Sequence, residues 1–315
     1  MPFTTLFGPV PSRRFGRSLG IDLVPLKTCS LNCVFCQLGR TPQTTIDRKD
    51  YVPIAQVIAD LTQWLETDNR ADVLTLSGSG EPTLHAYFGQ VLDWIQGHSS
   101  IPSLLLTNGS LFHLPEVRSD ATKANMVKTS LCAWDQASFQ RINRPHPDLT
   151  FDRFLHSQIR FRQEFSGQLI LEVFLLQGMN DSPEQITALS NLAQQIQPDR
   201  IHLNTVERPP AESFARPVST KFLHQVHTRF TPRAEIATVA QSQGFEGTET
   251  TEEAILDTLR RRPCTLLDLS SIYGLHQNEM AKYVSRLVHQ GHIQWTDSPS
   301  EQPYLTVLES PGTDT

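Results

Sequence analysis

The chain has 315 residues, 38% of them hydrophobic, and a formal net charge of −6. That length supports one large core plus a small second domain, and an acidic balance speaks against a tight, non-specific nucleic-acid binder. No apolar run reaches transmembrane length, no secretion signal is evident, and five cysteines with three clustered make no disulfide framework, so a reducing cytoplasm is the expected setting.

In chain order, Arg13, Arg14 and Arg17 come before the first predicted strand. The first fifty residues hold seven Lys/Arg and three Asp/Glu. A basic segment over residues 1–19, folded across a barrel mouth, suits an anionic group such as a phosphate. The alternative is a solvated arm. Residues 21–24 predict a short strand, and Cys29, Cys33 and Cys36 follow it with C-x3-C-x2-C spacing. A structural zinc site needs four ligands, usually from two knuckles. No second knuckle exists, and Cys132 and Cys264 stand alone. A closed [4Fe–4S] cube also takes four thiolates, so three thiolates favour a cluster with one open iron over zinc. His85, His146 and His202 have no spacing that demands a metal.

The apolar positions Val57, Ile58, Leu61 and Leu65 predict a helix. Val73–Leu76 is the next strand and runs into a Gly-rich turn with one carboxylate, Glu81. A helix follows through Val91, Leu92 and Ile95, then a strand over 104–106 and another over Met126–Leu131. Phe151, Phe154, Ile159 and Phe161 share a helix. Residues 169–176 form the strongest strand, Ile186, Leu189, Leu192 and Ile196 another helix stripe, and 201–206 a sixth strand. Glu172, inside the fifth strand, requires a partner, expected among Arg141, Arg144 and Arg208. Repeated βα units predict a parallel sheet with helices outside. In parallel barrels reacting groups gather at the C-terminal strand ends, which is where the cysteines, Glu81, Thr107-Asn108-Gly109, Ser130, Cys132, Gln177, Asn180, Asn204 and Thr205 fall.

The predicted domains are residues 1–230, a linker over 231–250, a small domain over 251–309 and a tail over 310–315. The small domain reads as three helices and a hairpin, a winged helix-turn-helix. Across residues 251–297 five Lys/Arg face six Asp/Glu, too little positive charge to favour nucleic-acid binding. Protein or substrate contact, or packing against the barrel, is expected instead.

The triad, with Phe35 at the aromatic position, resembles the C-x3-C-x-Φ-C signature of the radical S-adenosylmethionine (radical SAM) superfamily. Residues Ser77-Gly78-Ser79-Gly80-Glu81-Pro82-Thr83 look like its GGEP motif, with Ser79 in place of the first Gly. The run Gly8-Pro9-Val10-Pro11-Ser12-Arg13-Arg14, together with Ile142-Asn143-Arg144-Pro145 and Asn204-Thr205-Val206-Glu207-Arg208-Pro209-Pro210, resembles a group of prokaryotic radical SAM proteins distantly similar to the tRNA wyosine synthases. The resemblance covers residues 6–215.

It implies a partial (β/α)6 TIM-like barrel and a [4Fe–4S] cluster held by Cys29, Cys33 and Cys36. The free iron chelates S-adenosylmethionine (SAM), and an electron from flavodoxin or ferredoxin releases a 5′-deoxyadenosyl radical that takes hydrogen from substrate. Phe35 would lie against the adenine, Ser79, Gly80 and Glu81 would hold the SAM amino group, and Asn108 and Ser130 would be further SAM contacts. Ser130-Leu131-Cys132 stands where many members have Ser-Leu-Asp. Cys132 reads as a small buried hydrophobe, with a thiol at the mouth as the alternative. Arg208 is a candidate substrate contact beside Arg13, Arg14 and Arg17. The implied substrate is an RNA base, ahead of a peptide or small metabolite. The competing function is a redox or metal-sensing regulator acting through the winged helix.

Overall fold

The structure is a computed structural model, and it describes residues 3–67, 70–236, 251–297 and 303–308. Two strands open the chain, β1 (Leu6–Ser12) and β2 (Gly16–Ile21), paired as an antiparallel hairpin. A regular alternation follows: α1 (Ile54–Thr67), β3 (Val73–Leu76), α2 (Phe88–His98), β4 (Ser103–Leu106), α3 (Pro115–Ala121) and β5 (Met126–Leu131). It continues through α4 (Gln136–Ile142), α5 (Phe151–Glu164), β6 (Gln168–Leu175), α6 (Pro183–Ile196), β7 (Arg200–Thr205), α7 (Thr220–Val226) and β8 (Glu235–Ile236). The eight strands form one sheet in sequence order, and every pair from β2 to β8 is parallel.

The alternation arises because the central strands are apolar on both faces. All four residues of β3 are buried, and β6 and β7 bury Ile170, Leu171, Val173, Ile201 and Leu203. Helices must therefore cover the sheet. Val57, Leu61 and Trp64 of α1 and Ile186, Leu189 and Ala193 of α6 do so in the same core. Among the described residues no helix is long and apolar enough to cross a membrane.

The basic N-terminal segment is neither a solvated arm nor a lead-in to the first strand: it is the β1–β2 hairpin. The strand expected at 21–24 ends at Ile21, and residues 22–24 continue as buried backbone. The hairpin turn reaches β7, where Arg14 Nη2 donates to the Leu203 carbonyl at 2.8 Å, Arg13 pairs with Glu207, and Phe15 meets His202 with ring centres 6.0 Å apart. Arg17 is held elsewhere. The register Ser18↔Val73 sets it beside Asp72, and its Nη2 is 3.0 Å from that carboxylate.

Residues 251–297 and 303–308 form α8 (Glu252–Arg261), α9 (Leu266–Tyr273), α10 (Gln277–His289) and a two-stranded sheet of β9 (Ile293–Thr296) and β10 (Tyr304–Val307). Their own core includes Ile255, Leu259, Leu269, Met280, Val284, Leu287 and Leu305, and Val10 of β1 joins it. Arg261 Nε donates to Asp22 at 2.9 Å, and Arg262 Nη1 to the Pro11 carbonyl at 3.3 Å. The segment expected as a linker carries β8 at its start, while residues 237–250 and the tail lie outside the described residues.

His202 is fully buried, and neither ring nitrogen has a hydrogen-bond partner among the described residues. Burial, then the charges of Arg14, Lys128 and Arg200, push its pKa down to about 3. In the unfolded chain it protonates near about 6.5. Between these values the unfolded state binds more protons, so this residue favours folding above pH 6.5 and that contribution is lost as pH falls toward 3. His202→Leu is expected to flatten the loss of urea stability in this window, by on the order of a few kcal/mol across its full width. Superimposable pH profiles for the two proteins would contradict this.

Candidate functional site

Lys27 and Thr28, which lead into the cysteines, lie against the turn after β3. Lys27 N donates to the Ser79 carbonyl at 2.7 Å, and Glu81 N donates to the Thr28 carbonyl at 2.9 Å. The approach demands glycine, because a Cβ on Gly80 would sit 1.9 Å from the Thr28 oxygen. Asp22 fixes the other end of the turn, accepting from Ser79 N at 3.0 Å and Ser79 Oγ at 2.5 Å.

Glu81 is 2% exposed and surrounded by donors. Its Oε1 accepts from Thr83 N, Thr83 Oγ and Thr107 Oγ at 3.1, 2.5 and 2.6 Å, and its Oε2 from Asn108 N at 2.8 Å. Burial pushes the carboxyl up, and these hydrogen bonds pull against it without cancelling the rise. The carboxylate therefore ties the β3 turn to the β4 turn. The side chains of Ser79 and Glu81, expected with Gly80 to hold the SAM amino group, are engaged within the protein by Asp22, Thr83, Thr107 and Asn108. What the turn offers the cavity is backbone at Gly78 and Gly80.

Asn108 continues the chain of contacts to sulfur. Its Nδ2 lies 3.6 Å from Cys29 Sγ and 3.0 Å from Ser30 Oγ. On the other side Asn143 Nδ2 donates to Cys33 Sγ at 3.4 Å. The cysteine loop docks on this second segment through Asn32 N to the Asn143 carbonyl, Val34 N to the Ile142 carbonyl and His146 N to the Ser30 carbonyl, each between 2.9 and 3.0 Å. Glu212 N closes the loop from a third side by donating to the Val34 carbonyl at 3.0 Å, and its carboxylate pairs with Arg40 and Arg144.

All three cysteines are free and half-buried. Burial, then Glu81, raises the Cys29 thiol; burial, then Cys132 and Cys36, raises that of Cys33. Cys132 is buried in an apolar cluster with Val34, Ile142 and Leu176, as its small-hydrophobe reading expects. Asn180, in the turn between β6 and α6, is also structural: its side chain satisfies Leu176 N and the carbonyls of Cys132 and Phe174.

Phe35 and Cys36 line a cavity of about 470 Å³ that also meets Ser77, Gly78, Gly80, Leu106, Asn204 and Thr205. Phe35 stacks on Phe174 with ring centres 4.2 Å apart. Ser130 shares the strand face of Lys128, one residue pair along β5. Arg13, Arg14 and Arg208 line the cavity and Arg17 does not. Glu172 is partnered by none of the three arginines expected: Lys128 holds it, with Asn204 Nδ2 at 3.2 Å and Arg14 at 4.0 Å. Burial works to raise its pKa, and the Lys128 and Arg14 charges outweigh it, keeping Glu172 ionised. Sequence reasoning missed Asn143 and Glu212 as residues of this site, although the run Ile142–Pro145 was itself a signal.

A relative from Methanocaldococcus jannaschii, a UPF0026 protein, is 34% identical over 315 residues, spanning 98% of this chain and 97% of its own length. The chain belongs to the UPF0026 family. No family model matches it. A second relative, described as GTPase Obg of Brachyspira hyodysenteriae, is 32% identical over 293 residues. That match takes in 92% of this chain but 43% of the relative, so the name belongs to a protein more than twice as long as the shared part. Structural neighbours of this UPF0026 chain are radical SAM enzymes. One is Streptococcus suis SuiB bound to S-adenosylmethionine, with a TM-score of 0.50, 18% identity, and coverage of 70% of this chain and 47% of that one. At such identity the likeness concerns the fold.

Gly80→Ala should force the cysteine loop off the β3 turn, because overpacking against backbone costs roughly 1–3 kcal/mol. The expected result is a lower thermal midpoint together with reduced iron uptake on anaerobic reconstitution. Wild-type values for both would mean that this contact does not hold the loop.

Proposed function

We propose that this UPF0026 protein is a radical SAM enzyme whose partial (β/α) barrel binds a [4Fe–4S] cluster on Cys29, Cys33 and Cys36 and SAM in the adjoining cavity. The observation that carries the reading is the pair of amide donors, Asn108 on Cys29 and Asn143 on Cys33, aimed at sulfurs in a half-buried loop. Amide hydrogen bonds to sulfur are a means by which proteins stabilise and tune cluster thiolates.

The donor set fits such a cluster. Three thiols lie on one loop beside a cavity, and among the described residues no His, Cys, Asp and Glu side chains converge closely enough to hold a single ion. A zinc site gathers its ligands at about 2.0–2.3 Å around one ion, whereas cluster thiolates sit on different irons. Burial keeps the free thiols protonated, and metal binding reverses that preference by releasing their protons.

When bound, the cluster and SAM supply one-electron cleavage of the sulfonium and a 5′-deoxyadenosyl radical. The chain's own residues set the surroundings. Asn108 and Asn143 donate to sulfur, and Gly78 and Gly80 leave the turn backbone open to the SAM amino group. Phe35, already packed on one face by Phe174, presents its remaining surface to the adenine. Glu81 acts as a positioning residue, its carboxylate tying Thr83, Thr107 and Asn108 together. Leu106, Phe174 and Val206 give the cavity an apolar part beside its charged lining. An electron donor such as flavodoxin or ferredoxin completes the system. Helices α8, α9 and α10 with the β9–β10 sheet form a winged helix in this reading. Its acidic balance and its packing on β1 support a part in the enzyme rather than nucleic-acid binding.

Cys29→Ala, Cys33→Ala and Cys36→Ala should each abolish 5′-deoxyadenosine formation from SAM under dithionite, while Cys132→Ala and Cys264→Ala retain the iron chromophore. Chromatographic detection of 5′-deoxyadenosine from the wild type and its absence from the three triad variants is the expected pattern. A wild type that binds the cluster yet yields none of this product would defeat the proposal.

A further inference from the structure

The wall of the cavity carries more positive charge than the protein itself neutralises. Arg13 is answered by Glu207, Lys128 by Glu172, and Arg261 by Asp22. Three guanidiniums that line the same cavity, those of Arg14, Arg208 and Arg262, have no carboxylate within hydrogen-bond distance among the described residues.

Arg14 is 9% exposed, and its Nε is buried with no hydrogen-bond partner among the described residues. Its nearest carboxylate, Glu172 at 4.0 Å, is already held by Lys128. Arg262 also has a buried, unpartnered Nε, and its Nη2 stands 3.7 Å from Asp268, outside hydrogen-bond range. Arg208 donates to the Pro263 carbonyl and to Gln37 Oε1, both at 3.1 Å, and meets no carboxylate among the described residues. Burial, then repulsion from Arg262, bring its pKa down to about 10.

We propose that Arg14, Arg208 and Arg262 bind the phosphoryl group of a small phosphorylated substrate. This deepens the reading of the cavity given above and rests on it, because Cys36 and Phe35 line the same cavity. Partly desolvated like charges with unspent donors cost free energy, and Glu172 at 4.0 Å and Asp268 at 3.7 Å offset it only in part. An anion with several acceptor oxygens offsets it, and the guanidinium fork matches phosphate oxygens in pairs. The three residues come from the β1–β2 turn, the segment after β7 and the residue following α8. The C-terminal helices are thereby part of the substrate site, which accounts for their ties to Asp22 and Pro11. A small ligand is indicated over a polynucleotide: the cavity is about 470 Å³, and the net charge of −6 weighs against tight binding of a long polyanion.

The test is calorimetric titration of the full-length protein with inorganic pyrophosphate, which is read without any turnover and so separates failure of this site from failure of the radical chemistry. Wild type is expected to bind at one site, the double variant Arg208→Gln/Arg262→Gln at least tenfold more weakly, and Arg260→Gln, whose side chain is 51% exposed and paired with Asp257, as wild type does. Should the double Gln variant fail to fold, Arg208→Lys/Arg262→Lys keeps the charge, loses the fork, and is expected to bind more weakly than wild type but measurably. The proposal is overturned if pyrophosphate does not bind the wild type, or if the double variant binds equally well. It is also overturned if SAM displaces pyrophosphate, which would assign the arginines to the SAM carboxylate. Tighter, arginine-dependent binding of a short single-stranded RNA would assign them to nucleic acid instead.

Discussion

The site depends on one close approach: the Thr28 carbonyl lies where a side chain on residue 80 would have to be. Because Gly80 has none, the strand leaving β2 lies flat on the turn leaving β3, and two backbone hydrogen bonds lock it there. Glu81, the next residue, extends the lock to β4 through Thr107 and Asn108. Asn108 then reaches Cys29. Three consecutive strand ends are joined by one glycine and one buried carboxylate, and the first thiol is placed as a result.

The opposite side of the cysteine loop is built on different physics. It docks by backbone pairing on the segment after α4, and the donor to Cys33 comes from that segment. Glu212, anchored by Arg40 and Arg144, closes the remaining side. The loop is thus gripped on three flanks, and its half-buried face is left toward the cavity. Rigid gripping of this kind is what preorganisation of a site requires, and the protein achieves it with backbone groups and neutral amides near the sulfurs.

Much of the fold was legible. Five of the parallel strands, β3 to β7, announce themselves as short apolar runs among helical stripes, whereas the run at 21–24 meets β2 only at Ile21 and β8 lies in the segment expected as a linker. The N-terminal hairpin was hidden because Gly8, Pro9 and Pro11 read as loop. Proline fits an edge strand, and β1 is one, with its register shifting between Phe7 and Val10. The cysteine triad was legible from spacing alone. The hydrogen bonding of Glu81 was not: only the fold shows four donors closing on its carboxylate. Arg17 was misplaced because the register of β2 on β3, which no local pattern fixes, sets it beside Asp72. The positive surplus of the cavity was half visible. Arg14 and Arg208 stood out, while Arg262 lay in a helical segment whose packing on β1 cannot be read from its own residues.

The central claim is a cluster anchored by three thiolates with one iron open to SAM. Electron paramagnetic resonance of the dithionite-reduced, anaerobically reconstituted protein, recorded with and without SAM, tests it most directly. The account predicts a reduced [4Fe–4S] signal whose g values shift when SAM is added, because the ligand enters at the open iron. A signal unchanged by SAM, or a protein that takes up zinc in place of iron, would contradict it.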